Sequence, residues 1–308
     1  MRVSYHPGYV VELPEHHPFP MRKFSELARI VAAEGLARPD EIIAPEEADR
    51  ATLGLVHSDR YLDALWTGTL AREEERRLGL PWSPALLRRS RLATQGSINA
   101  ARFALDDGIA GNLAGGTHHA HPDGGEGFCV INDVAVATRA LQREGRLRRV
   151  LIVDLDVHHG NGNAAYFHGD AEVFTFSMHG AKNFPLRKPP SSLDVPLEDH
   201  VGDHEYLTLL ERWLPVAIER ARAEIAFYLG GVDVVIGDRY GRLALTRDGL
   251  RRRDGFALGA LRAAGLPVCL VLAGGYARTP ELTADLHAEA FRAAALIEGA
   301  GRAAPSVR

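Results

Sequence analysis

The stretch VDLDVHHGNG, residues 153–162, closes an apolar run, RVLIV, with Asp154, Asp156, His158 and His159 in quick succession. Extended backbone sends alternate side chains to one face, so Asp154, Asp156 and His158 lean the same way. A strand that ends by gathering two carboxylates and an imidazole on one face makes a cluster.

Other short apolar runs also end in glycine or acidic residues: NLAGG (112–116), EVFTFSMH (172–179), IAFYLGGVDVVIGD (225–238) and LPVCLVLAGG (266–275). Stretches with helical spacing lie between them, such as INDVAVATRALQREG, HEYLTLLERWLPVAIERARA and TRDGLRRRDGFALGALRAAG. The alternation predicts an α/β fold, a central and mostly parallel sheet flanked by helices on both faces. Working groups of such sheets collect where strands end at their carboxyl edge. His118 and His119 follow NLAGG, Asp156 and His158 follow RVLIV, Asp238 closes VDVVIG, and Tyr276 follows LVLAGG. Because these positions span the middle and last third of the chain, residues 1–300 read as one domain. SELARIVAAEG (25–35) supplies an outer helix, and residues 301–308 are expected to be a flexible tail.

Composition narrows the partners. The 308 residues are 46% hydrophobic and 25% charged, which gives ample core for a globular protein. A formal net charge of −4 argues against a general nucleic-acid binder, although Lys23, Lys182 and Lys188 are the only lysines among many arginines. Cys129 and Cys269 lie far apart without CxxC spacing, so neither a disulfide framework nor a cysteine zinc site is suggested. With no basic and apolar leader in MRVSYHPGYVVELPEHHPFP and no long apolar run, the expectation is a cytoplasmic protein without a membrane span. Oligomeric state is not legible.

Two carboxylates and one imidazole on a sheet rim can hold a divalent metal with a position open for water and substrate. Zinc, Fe²⁺ and other divalent ions accept such ligands, a di-metal hydrolase would use the same letters, and solvated strand-end decoration is the plain alternative. In GGTHHA, two glycines let the backbone approach a ligand, and an imidazole can serve as general base. Phe128 in GEGFCVIND can line a slot or fill the core, and Tyr276 in AGGY can reach an oxyanion or merely cap a turn.

Taken in order, GGTHHAHPDGGEGFCVIND, VLIVDLDVHHGNG, GGVDVVIGDRYGRL and LAGGY, with HHPFPMRK and VHSDRYLDAL earlier, resemble the zinc-dependent histone deacetylase family of the arginase/deacetylase superfamily. The resemblance covers most of the chain. It implies Asp156, His158 and Asp238 as ligands of Zn²⁺, or of Fe²⁺ or another divalent metal. His118 and His119 match the tandem catalytic histidines, Asp154 the carboxylate beside His118, and Tyr276 the tyrosine that bonds the substrate carbonyl. Phe128, Phe184 and Leu245 are implied as walls of an acyl-lysine tunnel. A K⁺ site is implied at Asp154, Asp156, His158, Ser177 and Met178. Asn161 stands where class I members carry Asp, giving His119 an amide partner, and LAGGY lacks their longer glycine run. HHGNG, RYGRL and HPFPMRK look most like class IV and its bacterial relatives.

The implied reaction is hydrolysis of an acyl-lysine or other acylated amine, with His119 taking the proton of a metal-activated water and Tyr276 meeting the oxyanion. Two alternatives remain open: a small-molecule amidohydrolase acting on acetylpolyamines, and a module that binds acyl-lysine without turnover.

Overall fold

In the computed structural model, which describes residues 1–303 and side chains through residue 299, eight strands form one sheet. They are β1 (Val3–Ser4), β2 (Ile42–Ile43), β3 (Ile109–Asn112), β4 (Val150–Asp154), β5 (Val173–Gly180), β6 (Leu193–Leu197), β7 (Ile225–Leu229) and β8 (Val268–Val271). Their order is β2-β1-β3-β8-β7-β4-β5-β6, and every pairing is parallel. Parallel strands need crossovers, and helices cover both faces as a result.

The period of two in the central strands divides the core. Leu151 and Val153 of β4 and Tyr228 of β7 enter one apolar cluster, with side chains from helices Lys23–Ala33, Asp203–Ala221, Arg247–Ala263 and Pro280–Ala303. Val150, Ile152, Ile225 and Phe227 enter the other, under helices Pro84–Asp107 and Asp133–Arg143. Every residue of β3, β4, β7 and β8 is buried. At about 1.5–3 kcal/mol per fully buried large aliphatic side chain, this double burial is what makes continuous apolar runs stable as strands.

Three expectations about the elements change. NLAGG is mostly loop, because β3 occupies Ile109–Asn112 and the glycines follow it. IAFYLGGVDVVIGD is not one strand: β7 stops at Leu229, and beyond the glycine pair the chain turns at Asp233 and Val234. The last helix runs to Ala303, into the segment expected as a tail, and residues 304–308 lie outside the described residues. Both cysteines are free and buried. Among the described residues no helix is long and apolar enough to cross a membrane.

Candidate active site

The exits of β3, β4, β7 and β8 converge at the carboxyl edge. Gly115 and Gly116 follow β3 with φ of +80° and +77°, where a side chain is strained, and a Cβ on Gly116 would stand 2.5 Å from Ala273 N. Asp133, at the start of its helix, fastens this loop: its carboxylate accepts from Gly116 N (3.1 Å), Thr117 N (2.8 Å) and Ser97 Oγ. The loop therefore delivers His118 and His119 on a rigid base, and both are buried.

His118 Nδ1 lies 2.7 Å from Asp154 Oδ2. Burial lowers the pKa of His118, but Asp154 and Asp156 outweigh it and hold it at about 9. His119 Nδ1 lies 2.6 Å from Asn161 Oδ1. The Asn161 amide nitrogen donates to Glu126 Oε2 (2.8 Å), so its oxygen must face His119 and accept. That leaves His119 Nε2 unprotonated. Burial, then the neighbouring His118 and His158, push the His119 pKa well down, so the ring is a neutral base.

Beyond these rings, Asp156, His158 and Asp233 offer donor atoms within 4.8 Å of one another, all buried. His158 Nδ1 is 3.0 Å from Asp156 Oδ1 and 3.2 Å from Asp233 Oδ2. Gly274 N donates to Asp156 Oδ2 (2.5 Å) and Val157 N to Asp233 Oδ1 (2.9 Å). Asp233 Oδ2 is buried without a hydrogen bond. Burial and the adjacent Asp156 push the Asp233 carboxyl up, whereas Asp156, in spite of burial, is held low by His118 and His158. Burial lowers His158, yet the two carboxylates raise it to about 10. Two crowded carboxylates, one with an orphaned oxygen, fit a divalent cation. Glycines keep the space open: a Cβ on Gly231 would meet Asp156 Oδ2 at 2.4 Å, and one on Gly274 would meet Asp233 Oδ2 at 2.0 Å.

Asp238, the residue expected in this cluster, is placed elsewhere. Its carboxylate accepts from Tyr240 N (2.8 Å), Gly241 N (3.1 Å) and Tyr276 N (2.6 Å), and so ties two loops together. The early end of β7 is the reason: the turn across Asp156 brings Asp233 to the rim first. Leu245 is also displaced from its expected place. It is fully buried in the core and bridges to Val235, away from the tunnel.

Phe128 and Phe184 line a pocket that also contains His119, His158, Tyr240 and Tyr276. Phe128 adopts φ +68°, held by its N–H on Leu78 O (2.8 Å), and its ring lies 5.8 Å from that of Tyr276. Arg77, which is exposed, also lines this pocket. Burial, then Asp233 and Asp156, hold the Tyr276 pKa well above its ordinary value, so its hydroxyl remains a donor. Behind the histidines, a cavity reaches Phe19, Lys23 and Arg89. The fully buried Arg253 donates to Leu155 O (3.1 Å) and Gly231 O (2.6 Å), bracing the exits of β4 and β7 from below.

Sequence reasoning missed Asp233, Glu126, Lys23, Arg89 and Tyr240 as members of this region. Asp233 had a signal, the glycine pair before it. Glu126 had none, because its link to His119 runs through Asn161.

The sequence pattern of the histone deacetylase domain matches residues 17–292. The chain belongs to the histone deacetylase family. An uncharacterised protein of Picosynechococcus sp. is 45% identical over 292 residues, covering 95% of this chain and 97% of its own. Histone deacetylase 2 of Arabidopsis thaliana is 28% identical, covering 85% and 70%. The acetoin utilization protein AcuC of Staphylococcus aureus is 26% identical, covering 71% and 62%. Among solved structures, a histone deacetylase homolog complexed with SAHA superposes with a TM-score of 0.78 at 25% identity, over 94% of this chain and 81% of that one. The HDA15 HD domain superposes with 0.79 at 23% identity, over 97% and 92%, which shows the shared arginase/deacetylase fold. Family membership supports deacetylase chemistry in general.

Proposed function

We propose that this deacetylase-family chain is a metal-dependent amide hydrolase that removes acyl groups from acyl-lysine. The observation that carries the reading is the buried meeting of Asp156, His158 and Asp233, with its orphaned carboxylate oxygen, whose His158 lines an aromatic pocket together with His119. Asp156, His158 and Asp233 would hold the cation; Zn²⁺ fits the donors, and Fe²⁺ or another divalent ion is compatible with them. When bound, such an ion polarises the acyl carbonyl and acidifies a water toward a pKa of roughly 7.

The chain's own residues account for the rest. His119 Nε2, bare and neutral, accepts the water proton and passes a proton to the leaving amine. His118, charged through Asp154, stabilises the developing negative charge. Tyr276 donates its hydroxyl hydrogen to the oxyanion. Phe128, Phe184 and Tyr240 exclude water from an apolar lysine stem. In the proposed K⁺ site, β4 and β5 set Asp154 opposite Ser177, with Met178 next in the strand and the carbonyls of Asp156 and His158 in the loop beyond.

The exposed guanidinium of Arg77 in the pocket lining favours acyl-lysine over acetylpolyamine. A polyamine would bring ammonium charge to a guanidinium, whereas a peptide backbone is neutral there. The test is acetate release from an acetyl-lysine peptide and from N-acetylated polyamines by zinc-loaded protein. Faster release from the peptide is expected. Preference for the polyamine would replace the substrate assignment, and no release from either would favour a binding module.

A further inference from the structure

The histidine pair of DVHHG splits. His158 turns to the proposed catalytic cluster, while His159, which the reaction does not use, turns to the sheet edge and is fully buried. There it meets two side chains from β5 and β6. His159, His179 and Asp194 present donor atoms within 4.8 Å of one another.

We infer that His159, His179 and Asp194 form a second divalent transition-metal site, separate from the proposed catalytic one. The strand register builds it: Ser177 pairs with Asp194, so Asp194 shares a sheet face with Ser177 and with His179 two residues on. Ser177 Oγ lies 2.9 Å from His179 Nδ1, which leaves Nε2 for a metal. The two imidazoles are 4.6 Å apart between centroids and nearly perpendicular, at 80°. His159 Nε2 is 3.3 Å from Asp194 Oδ1 and 3.2 Å from Ser191 Oγ.

The polar ledger of the cluster is incomplete without a cation. Asp194 Oδ1 is buried and accepts no hydrogen bond, although it lies at ion-pair distance from His159. The other oxygen, Oδ2, is satisfied by Ser191 N at 2.8 Å. One carboxylate and two imidazoles make the N₂O donor set that Zn²⁺, Co²⁺ or Ni²⁺ accepts, and ligands at about 2.1 Å around a tetrahedral ion stand roughly 3.4 Å apart. The one carboxylate-to-imidazole separation, His159 Nε2 to Asp194 Oδ1 at 3.3 Å, is close to that figure. The Asp194 side chain is 29% exposed, which leaves an entry path and a fourth position for water.

Zn²⁺ content per chain, measured after equilibration and gel filtration at pH 7.5, tests the inference. The full chain should hold two equivalents, Asp233→Asn one, Asp194→Asn one, and the double variant none. Zn²⁺ should also raise the melting temperature of Asp233→Asn but not that of the double variant. His179→Asn, which preserves the bond to Ser177, serves if Asp194→Asn folds poorly. Unchanged content in Asp194→Asn and His179→Asn, or a single equivalent that Asp233→Asn removes, overturns the second site. Unchanged content in Asp233→Asn alone would instead overturn the catalytic ligand set, so the two readings fail separately.

Discussion

Lys23 offers the sharpest quantitative prediction, because it is a buried ammonium with no carboxylate partner among the described residues. Its Nζ donates to Ala273 O (3.3 Å) and Gly275 O (3.5 Å) and lies 5.5–5.6 Å from the rings of Phe19, Phe24 and Tyr276. Burial, only partly offset by Asp233 and Asp156, lowers its pKa from 10.5 to about 8. At about 1.4 kcal/mol per pH unit, that gap disfavours the charged form by about 3 kcal/mol at neutral pH. Lys23→Met removes this cost and also the ring contacts, which together contribute about 1–2 kcal/mol. The variant should therefore be more stable by about 1–2 kcal/mol at pH 7, which for a chain of this length is a rise of about 2–3 °C in melting temperature. Between about pH 8 and 10.5 the unfolded lysine binds more protons than the folded one, so wild-type stability gains with pH relative to the variant. The advantage of Lys23→Met is thus full below about pH 8 and fades toward 10.5. Urea unfolding of both metal-free proteins at several pH values measures the difference. A less stable variant at pH 7, or a difference that stays constant to pH 10.5, refutes the reasoning. A cation held by Asp156 and Asp233 would cancel their support of Lys23 and enlarge the gain.

Four further outcomes follow from the site. Tyr276→Phe should lose on the order of 10²–10³ in turnover with metal content unchanged, as removal of one oxyanion donor does; steady-state kinetics with an acetyl-lysine peptide reads it. Asp233→Asn should abolish catalytic metal binding while Asp238→Asn retains it and instead loosens the loop carrying Tyr276, so metal analysis of the two separates ligand from organiser. Glu126→Gln weakens the charge-assisted hold on Asn161 and should lower turnover about tenfold at constant metal content; wild-type turnover would remove Glu126 from the site. Arg77→Glu should shift the ratio of polyamine to peptide hydrolysis toward the polyamine by several-fold at low salt, an effect that fades as ionic strength rises.

The parts of the fold legible in the sequence are those buried on both faces. RVLIV reads as a strand because a short, β-branched apolar run closed by acidic residues suits a strand covered on both faces, and Asp156 and His158 are fixed relative to each other by the same strand exit. Strands β1 and β2 are two residues each and leave no pattern to detect. Asp238 reads as a cluster member because apolar VDVVIG resembles a continuing strand; the close approach of Gly231 to Asp156 shows that the chain has already left the sheet. Leu245 is apolar in either setting, core or tunnel, and its letter cannot choose between them. The pairing of His159 with His179 and Asp194 depends on the register of β5 and β6, which no single segment carries.

The position of β8 has a consequence for synthesis. The last strand of the chain lies between β3 and β7, pairing with both, so until residues 268–271 have emerged the sheet exists as two pieces, β2-β1-β3 and β7-β4-β5-β6. Each piece then exposes an apolar edge that is central in the finished molecule, and a nascent chain stalled before β8 carries two templates for intermolecular pairing. The loop with Tyr276 follows β8 immediately, so closing the sheet and completing the site are one late event. Truncations that end before β8 should accumulate as aggregates rather than as a less active enzyme.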